Sequence, residues 1–424
     1  MMSKSIDGFF RKAIIIMEKL EIYVHIPFCV KKCDYCDFLS MSGDLVTKRE
    51  YVSALINEIK LSKDRMKGYL IDTIFIGGGT PSILEGKYIR EIMDAIRQNC
   101  MVDENAEITI ECNPGTIDKH KLKCYKDSGI NRISLGLQSA NDDELLAIGR
   151  IHNFDKFLES YKLTREAGFS NINVDIMSAL PGQSIESYRE TLKKVTDLNP
   201  EHISAYSLIV EEETPLYDRV EEANNAGYSI LPDEDTEREM YYETKKILGN
   251  LGYNRYEISN YSKVGYECRH NIGYWKRKDY LGFGLGAASL YKNTRYNNIT
   301  DLDQYIYVML ENDLEENGNS WGEAIYQDDI WDIQEDSLTV IQGKIQKLSN
   351  KDMMEEFMFL GLRMMEGISV DEFEEKFGRK FETVYGNVAD KLISQGLLKK
   401  NDNRIMLTDR GIDVSNYAMS EFLL

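Results

Sequence analysis

The sequence predicts an α/β fold: a partial (β/α)6 TIM-like barrel, then a mixed α+β region, then a C-terminal winged-helix-like helical domain. Three observations predict it. From Glu21 to about Val210, short β-rich runs alternate with amphipathic helical stretches, the pattern of βαβ units and a parallel sheet. Those runs end in small or polar residues, and in parallel barrels the chemistry gathers at the C-terminal strand ends. Beyond Lys351 the pattern changes to helices around one short hairpin.

The strand candidates are EIYVHI from Glu21, TIFIGGG from Thr73, EITIEC from Glu107, RISLGLQS from Arg132, NVDIMSALPG from Asn173 and HISAYSLIV from His202. YVSALINEIKLS from Tyr51 and FDKFLESYKLTREAG from Phe154 are helical patterns between them. Residues 1–16 form an N-terminal extension. Its apolar run is too short for a signal segment, and Met17 is an alternative start. The barrel core covers 17–210. Residues 211–302, rich in Tyr and Asn, complete that domain, and 303–349 form an acidic, weakly patterned insertion or linker. Residues 350–424 carry the winged-helix-like unit.

Composition narrows the class. Apolar residues make up 42% and charged residues 29% of 424 positions, which describes a globular protein. No apolar run reaches the roughly 20 residues needed to span a bilayer. A net charge of −20 argues against a nucleic-acid partner.

The run HIPFCVKKCDYCDF places Cys29, Cys33 and Cys36 at C-x3-C-x2-C. Three thiolates so close can ligate three corners of a [4Fe–4S] cubane, which ordinarily takes four cysteines. The fourth iron is left for a small molecule. A zinc site would need a second ligand pair 12–20 residues on, and the next Cys is Cys100 and the next His is His120. A disulfide framework is disfavoured by an odd, sparse count of seven cysteines. An air-sensitive cluster suits a cytoplasmic location. GGGTPS, from Gly77, follows a strand and precedes a helix, a place where backbone approaches a ligand closely and amides suit a carboxylate or phosphate. Glu111, Gln138, Arg150 and Asp175 fall at or beyond strand ends. A carboxylate there suits ribose hydroxyls or an ammonium group, and an arginine suits a carboxylate.

Together these motifs, with ECNP, LGLQS, GRIHN and DIMSALPGQ, resemble the radical S-adenosylmethionine superfamily. Within it they resemble the family of oxygen-independent coproporphyrinogen III oxidase and its heme-chaperone relative. The resemblance runs from Tyr23 to the C-terminus and is weakest over the acidic insertion. It implies that Cys29, Cys33 and Cys36 hold the cluster. It also implies that Tyr23, Tyr35, Gly78, Gly79, Thr80, Glu111, Gln138, Arg150, Asp175 and Ile209 contact S-adenosylmethionine. Phe38 stands where the oxidase carries a fourth cysteine, which points to the chaperone branch. HNIGYW resembles that branch's heme-associated motif and assigns His270, Tyr274 and Trp275 to heme. Imidazole is a common axial ligand of heme iron, and on a helix His270 and Tyr274 share a face. Cys268 is a minor further candidate, and His25 and His152 lie near the cluster and Arg150. No catalytic residue is assigned. The implied partners are heme and a heme-accepting protein, which a membrane-associated acceptor would satisfy. The alternative is the oxidase itself, converting coproporphyrinogen III to protoporphyrinogen IX by a radical route, and the resemblance leaves open whether the chain is an enzyme.

Overall fold

The computed structural model describes residues 17–317 and 337–424. The N-terminal extension 1–16 and the middle of the acidic segment lie outside the described residues. Six strands run parallel, each beside its predecessor: β1 (Glu18–Ile26), β2 (Tyr69–Gly78), β3 (Met101–Cys112), β4 (Arg132–Gln138), β5 (Ile172–Ser178) and β6 (His202–Ser207). All six predicted strands are present, several longer at the N-terminal end.

Strand side chains alternate between faces. The outward set, Ile22, Val24, Ile74, Ile76, Ile110, Ile133, Leu135, Val174 and Ile176, is fully buried under helices such as Leu45–Leu61 and Gly86–Asn99. The inward set on β4 to β6 includes Arg132, Ser134, Asn173, Asp175 and Ser204. Barrels of this kind usually fill the interior with branched apolar side chains. Here the inward face of β4 to β6 is polar instead.

The region after β6 extends this sheet at both edges. β7 (Asn254–Arg255) and β8 (Asn260–Ser262) pair antiparallel beyond β6, while β9 (Tyr280–Phe283) pairs parallel with the free edge of β1. β10 (Ala288–Tyr291), β11 (Thr294–Asn297) and β12 (Gln346–Lys347) continue antiparallel from β9, for twelve strands in one sheet. The short helix Arg269–Trp275, which carries HNIGYW, closes the end of the barrel opposite the cluster loop. Glu107 at the lower part of β3 accepts from the first amides of that helix, Arg269 N at 3.0 Å and His270 N at 3.2 Å. Gly273 is required there: a Cβ would lie 1.9 Å from a Glu21 carboxylate oxygen.

The expectation of a weakly patterned segment at 303–349 is corrected at its two ends. Leu302–Asn317 is a helix packed on Leu45–Leu61, with Tyr305 and Met309, one turn apart, fully buried. Ser337–Ile341 is helical and β12 joins the sheet. The apolar positions are two in a run dominated by acids, too few to stand out by periodicity. The Tyr305 hydroxyl donates to Glu58 at 2.5 Å, and Glu58 also accepts from Gly284 N and Asn298 Nδ2, each at 2.7 Å. Burial pushes the Glu58 carboxyl up to about 7 against these three donors. Tyr305→Phe removes one donor from a buried carboxyl, so we expect a loss of about 1–3 kcal/mol, read as a lower urea midpoint. An unchanged midpoint would mean that the helix does not dock on Glu58.

The C-terminal unit has its own core of Phe357, Phe373, Phe381, Tyr385 and Phe422. Three helices, Asn350–Gly361, Val370–Phe377 and Phe381–Ser394, surround a three-stranded sheet whose hairpin is Leu398–Asn401 and Arg404–Leu407. Glu356 joins it to the barrel sheet by accepting from Arg277 (2.6 Å) and Arg295 (2.8 Å). Among the described residues no helix is long and apolar enough to cross a membrane.

Candidate functional site

The loop after β1 carries the three cysteines and is pinned by backbone bonds. Met41 N donates to Pro27 O at 2.7 Å, Cys29 N to Met41 O at 2.9 Å, and Asp34 N to Ile148 O at 3.1 Å. The His25 ring holds both ends, bonded through Nε2 to Leu39 O at 2.9 Å and through Nδ1 to the Tyr23 hydroxyl at 3.0 Å. Cys29, Cys33 and Cys36 are free thiols of intermediate exposure. All three line one cavity of about 380 Å³.

The glycine loop forms the adjacent wall. Gly78 has φ of +117°, and its amide donates to Glu111 Oε2 at 3.1 Å. A Cβ on Gly79 would lie 2.8 Å from Phe28 O and 3.0 Å from Cys29 Sγ, so only glycine lets this loop meet the cysteine loop. The helix expected directly after GGGTPS begins instead at Gly86, after a 3-10 turn at Pro81–Ile83. The loop residues Gly78, Gly79 and Thr80, not a helix terminus, therefore line the cavity.

Tyr35, Gly78, Gly79, Thr80, Glu111, Gln138, Arg150, Asp175 and Ile209 line the same cavity as the three cysteines. Tyr23 does not. It faces a second cavity of about 230 Å³ deeper in the barrel, which shares Glu111, Ser134 and Asp175 with the first. Arg150 is fixed by Gly136 O and Asn113 Oδ1 (3.0 Å), and lies 3.6 Å from Cys33 Sγ. Burial, and then the neighbouring Asp175, push the Glu111 carboxyl up to about 8, and burial also raises Asp175. A buried carboxyl such as Glu111, whose ionisation burial and Asp175 suppress, suits a cationic ligand, which restores its charge. S-adenosylmethionine, with its sulfonium and ammonium groups, has that character. When bound, a [4Fe–4S] cluster would supply one-electron redox chemistry to this cavity.

Strand alternation places further residues here that motif reading passed over. Asn113 ties Arg150 to Thr80 Oγ1 (2.8 Å), and Tyr206 donates to Gln138 at 3.1 Å. His152 is structural: it is bonded to Leu137 O at 3.2 Å, and burial lowers its pKa to about 4.

The HNIGYW residues separate. His270 is fully buried, with Nδ1 bonded to Thr73 Oγ1 at 2.8 Å and Nε2 to the Tyr274 hydroxyl at 2.9 Å. Burial, and then the charges of Lys278 and Arg132, lower its pKa to about 3, so the ring is neutral, the form that binds a metal. His270 and Tyr274 face the deeper cavity together, as the one-turn spacing implies. Trp275 does not line it. Its ring packs under the Arg363 guanidinium at 4.3 Å, toward the C-terminal unit. Cys268 is wholly buried against Glu107, and burial pushes its thiol up to about 12. An aromatic column of Tyr23, Phe75, His270 and Tyr274 runs through the barrel, with centroid steps of 6.4, 5.2 and 4.7 Å.

The sequence profile of the Radical SAM superfamily matches residues 23–195, and that of the HemN C-terminal domain matches 348–414. The heme chaperone HemW of Lactococcus lactis is 35% identical over 404 residues, covering 95% of this chain and 97% of its own. That of Bacillus subtilis is 33% identical over 402 residues, covering 95% and 98%. The chain belongs to the HemW family. As a radical SAM protein it carries a [4Fe–4S] cluster and S-adenosylmethionine. Escherichia coli coproporphyrinogen III oxidase (HemN) superposes on 96% of this chain and 91% of its own with a TM-score of 0.78 at 23% identity. This chain and that oxidase therefore share one fold.

Proposed function

We propose that this chain is a heme chaperone. It binds heme, holds a [4Fe–4S] cluster with S-adenosylmethionine, and passes the heme to an acceptor protein. The observation that carries this reading is full-length similarity to heme chaperones from two bacteria, in a chain with Phe38 at the fourth-cysteine position and HNIGYW after the barrel. Cys29, Cys33 and Cys36 bind the cluster. Glu111, Gln138, Arg150, Asp175 and the glycine loop bind the cosubstrate, with Tyr35 and Ile209 at its rim and Tyr23 below it. His270 is the ligand for heme iron. Because its Nε2 is held by Tyr274, loading requires that the Tyr274 bond open, which makes the closed helix Arg269–Trp275 the resting state of a carrier. The reducing cytoplasm suits the cluster, and the acceptor is a heme protein in reach of that compartment, including one at a membrane surface.

The test is an anaerobic heme titration of the reconstituted protein. We expect a Soret band at a one-to-one ratio, lost in His270→Ala. A wild-type protein without a Soret band that forms protoporphyrinogen IX from coproporphyrinogen III would establish the oxidase reading instead.

A further inference from the structure

The deeper cavity contains a group that its surroundings leave unused. Arg132, the first residue of β4, is 2% exposed and points into the barrel. Its Nε is buried without an acceptor, and among the described residues no hydrogen bond or ion pair reaches the rest of its guanidinium. Glu107 and Asp175 lie near enough to offset its charge, but neither accepts a hydrogen bond from it, and each is engaged elsewhere. Glu107 caps the helix Arg269–Trp275, Asp175 accepts from Asn173 and Ser134, and Glu111 accepts from Gly78. Arginine carries five donors in a planar fork matched to a carboxylate. Burying that fork with no acceptor is costly, and such a group is normally paired. The free fork faces a cavity of about 230 Å³, whose other walls include His270, Tyr274, Phe75 and Tyr23.

That volume is below the usual range for a drug-sized ligand. It admits one arm of a larger molecule rather than the whole. We propose that Arg132 is a carboxylate receptor, and that it recognises a propionate of the heme bound through His270. This deepens the heme-carrier reading and rests on it. Iron ligation by imidazole does not distinguish heme from other iron porphyrins. A buried guanidinium on the same cavity adds selection for a carboxylate-bearing edge, and an uncharged edge would leave the fork unpaired.

The test compares heme with its dimethyl ester in anaerobic titrations of the cluster-loaded full chain, for wild type, Arg132→Gln and Arg132→Lys. Charge-assisted hydrogen bonds of this kind predict that wild type prefers heme to the diester by about 10-fold or more. Arg132→Gln should bind both alike, near the diester's affinity, and Arg132→Lys should keep part of the preference. Equal binding of heme and diester by wild type would overturn the proposal, and that comparison stands even if Arg132→Gln fails to fold. So would an undiminished preference in Arg132→Gln. A parallel calorimetric titration with S-adenosylmethionine separates the other source of a carboxylate. If Arg132→Gln loses cosubstrate binding while its heme preference is intact, the arginine serves the cosubstrate and the proposal falls. A wild-type protein that binds neither porphyrin overturns the carrier reading itself, a result distinct from loss of ester discrimination alone.

Discussion

Cys33→Ala will yield a colourless protein that still folds. Two remaining thiolates cannot hold three corners of a cubane, so iron and the broad visible absorption should be lost completely after anaerobic reconstitution. Folding should survive because none of the three thiols belongs to the buried apolar cluster that supports β1 to β6. Substitutions away from the core usually move stability by no more than about 0.5 kcal/mol. Cys124→Ala is the contrast: it removes a buried thiol on a distant helix, so the cluster should stay. A Cys33→Ala protein with a full complement of iron would refute the ligand assignment.

Arg150→Ala should cost the cosubstrate nearly as dearly. The guanidinium is held by Gly136 O and Asn113, beside Cys33, and lines the cavity of the cluster loop. It is the cationic group we propose to meet the carboxylate of S-adenosylmethionine. Removing one partner of a buried, hydrogen-bonded charge pair costs about 2–5 kcal/mol, so the affinity should fall on the order of 100-fold in calorimetry. Arg150→Lys should recover part of this, because a lysine keeps the charge but cannot bond Asn113 and Gly136 in the same planar geometry. Wild-type affinity in Arg150→Ala would remove Arg150 from the site.

The parallel barrel was legible because its strands are β-rich runs separated by helices of matching period, a local signal. The cluster was legible because three cysteines lie in one loop of eight residues. The helix Leu302–Asn317 was not, since only its packing against Glu58 and Leu45–Leu61 distinguishes it from a solvated acidic stretch. The HNIGYW motif was visible as a string, but its side chains part. His270 and Tyr274, four apart, face the barrel interior, whereas Trp275 turns to Arg363 in a unit nearly ninety residues away.

Residue order alone therefore determined the fold class, the three-cysteine loop, the glycine loop and most of the residues that line their shared cavity, because each follows from neighbours in sequence or from strand ends in a parallel barrel. Tertiary structure decided the rest. It placed Tyr23 below the cavity of the cysteine loop rather than in it, bonded both nitrogens of His270, and left the Arg132 guanidinium facing the deeper cavity without a hydrogen-bond acceptor. Those outcomes depend on which strand faces meet across the barrel and on whether a buried donor finds an acceptor there, and both are set by contacts between residues far apart in the chain.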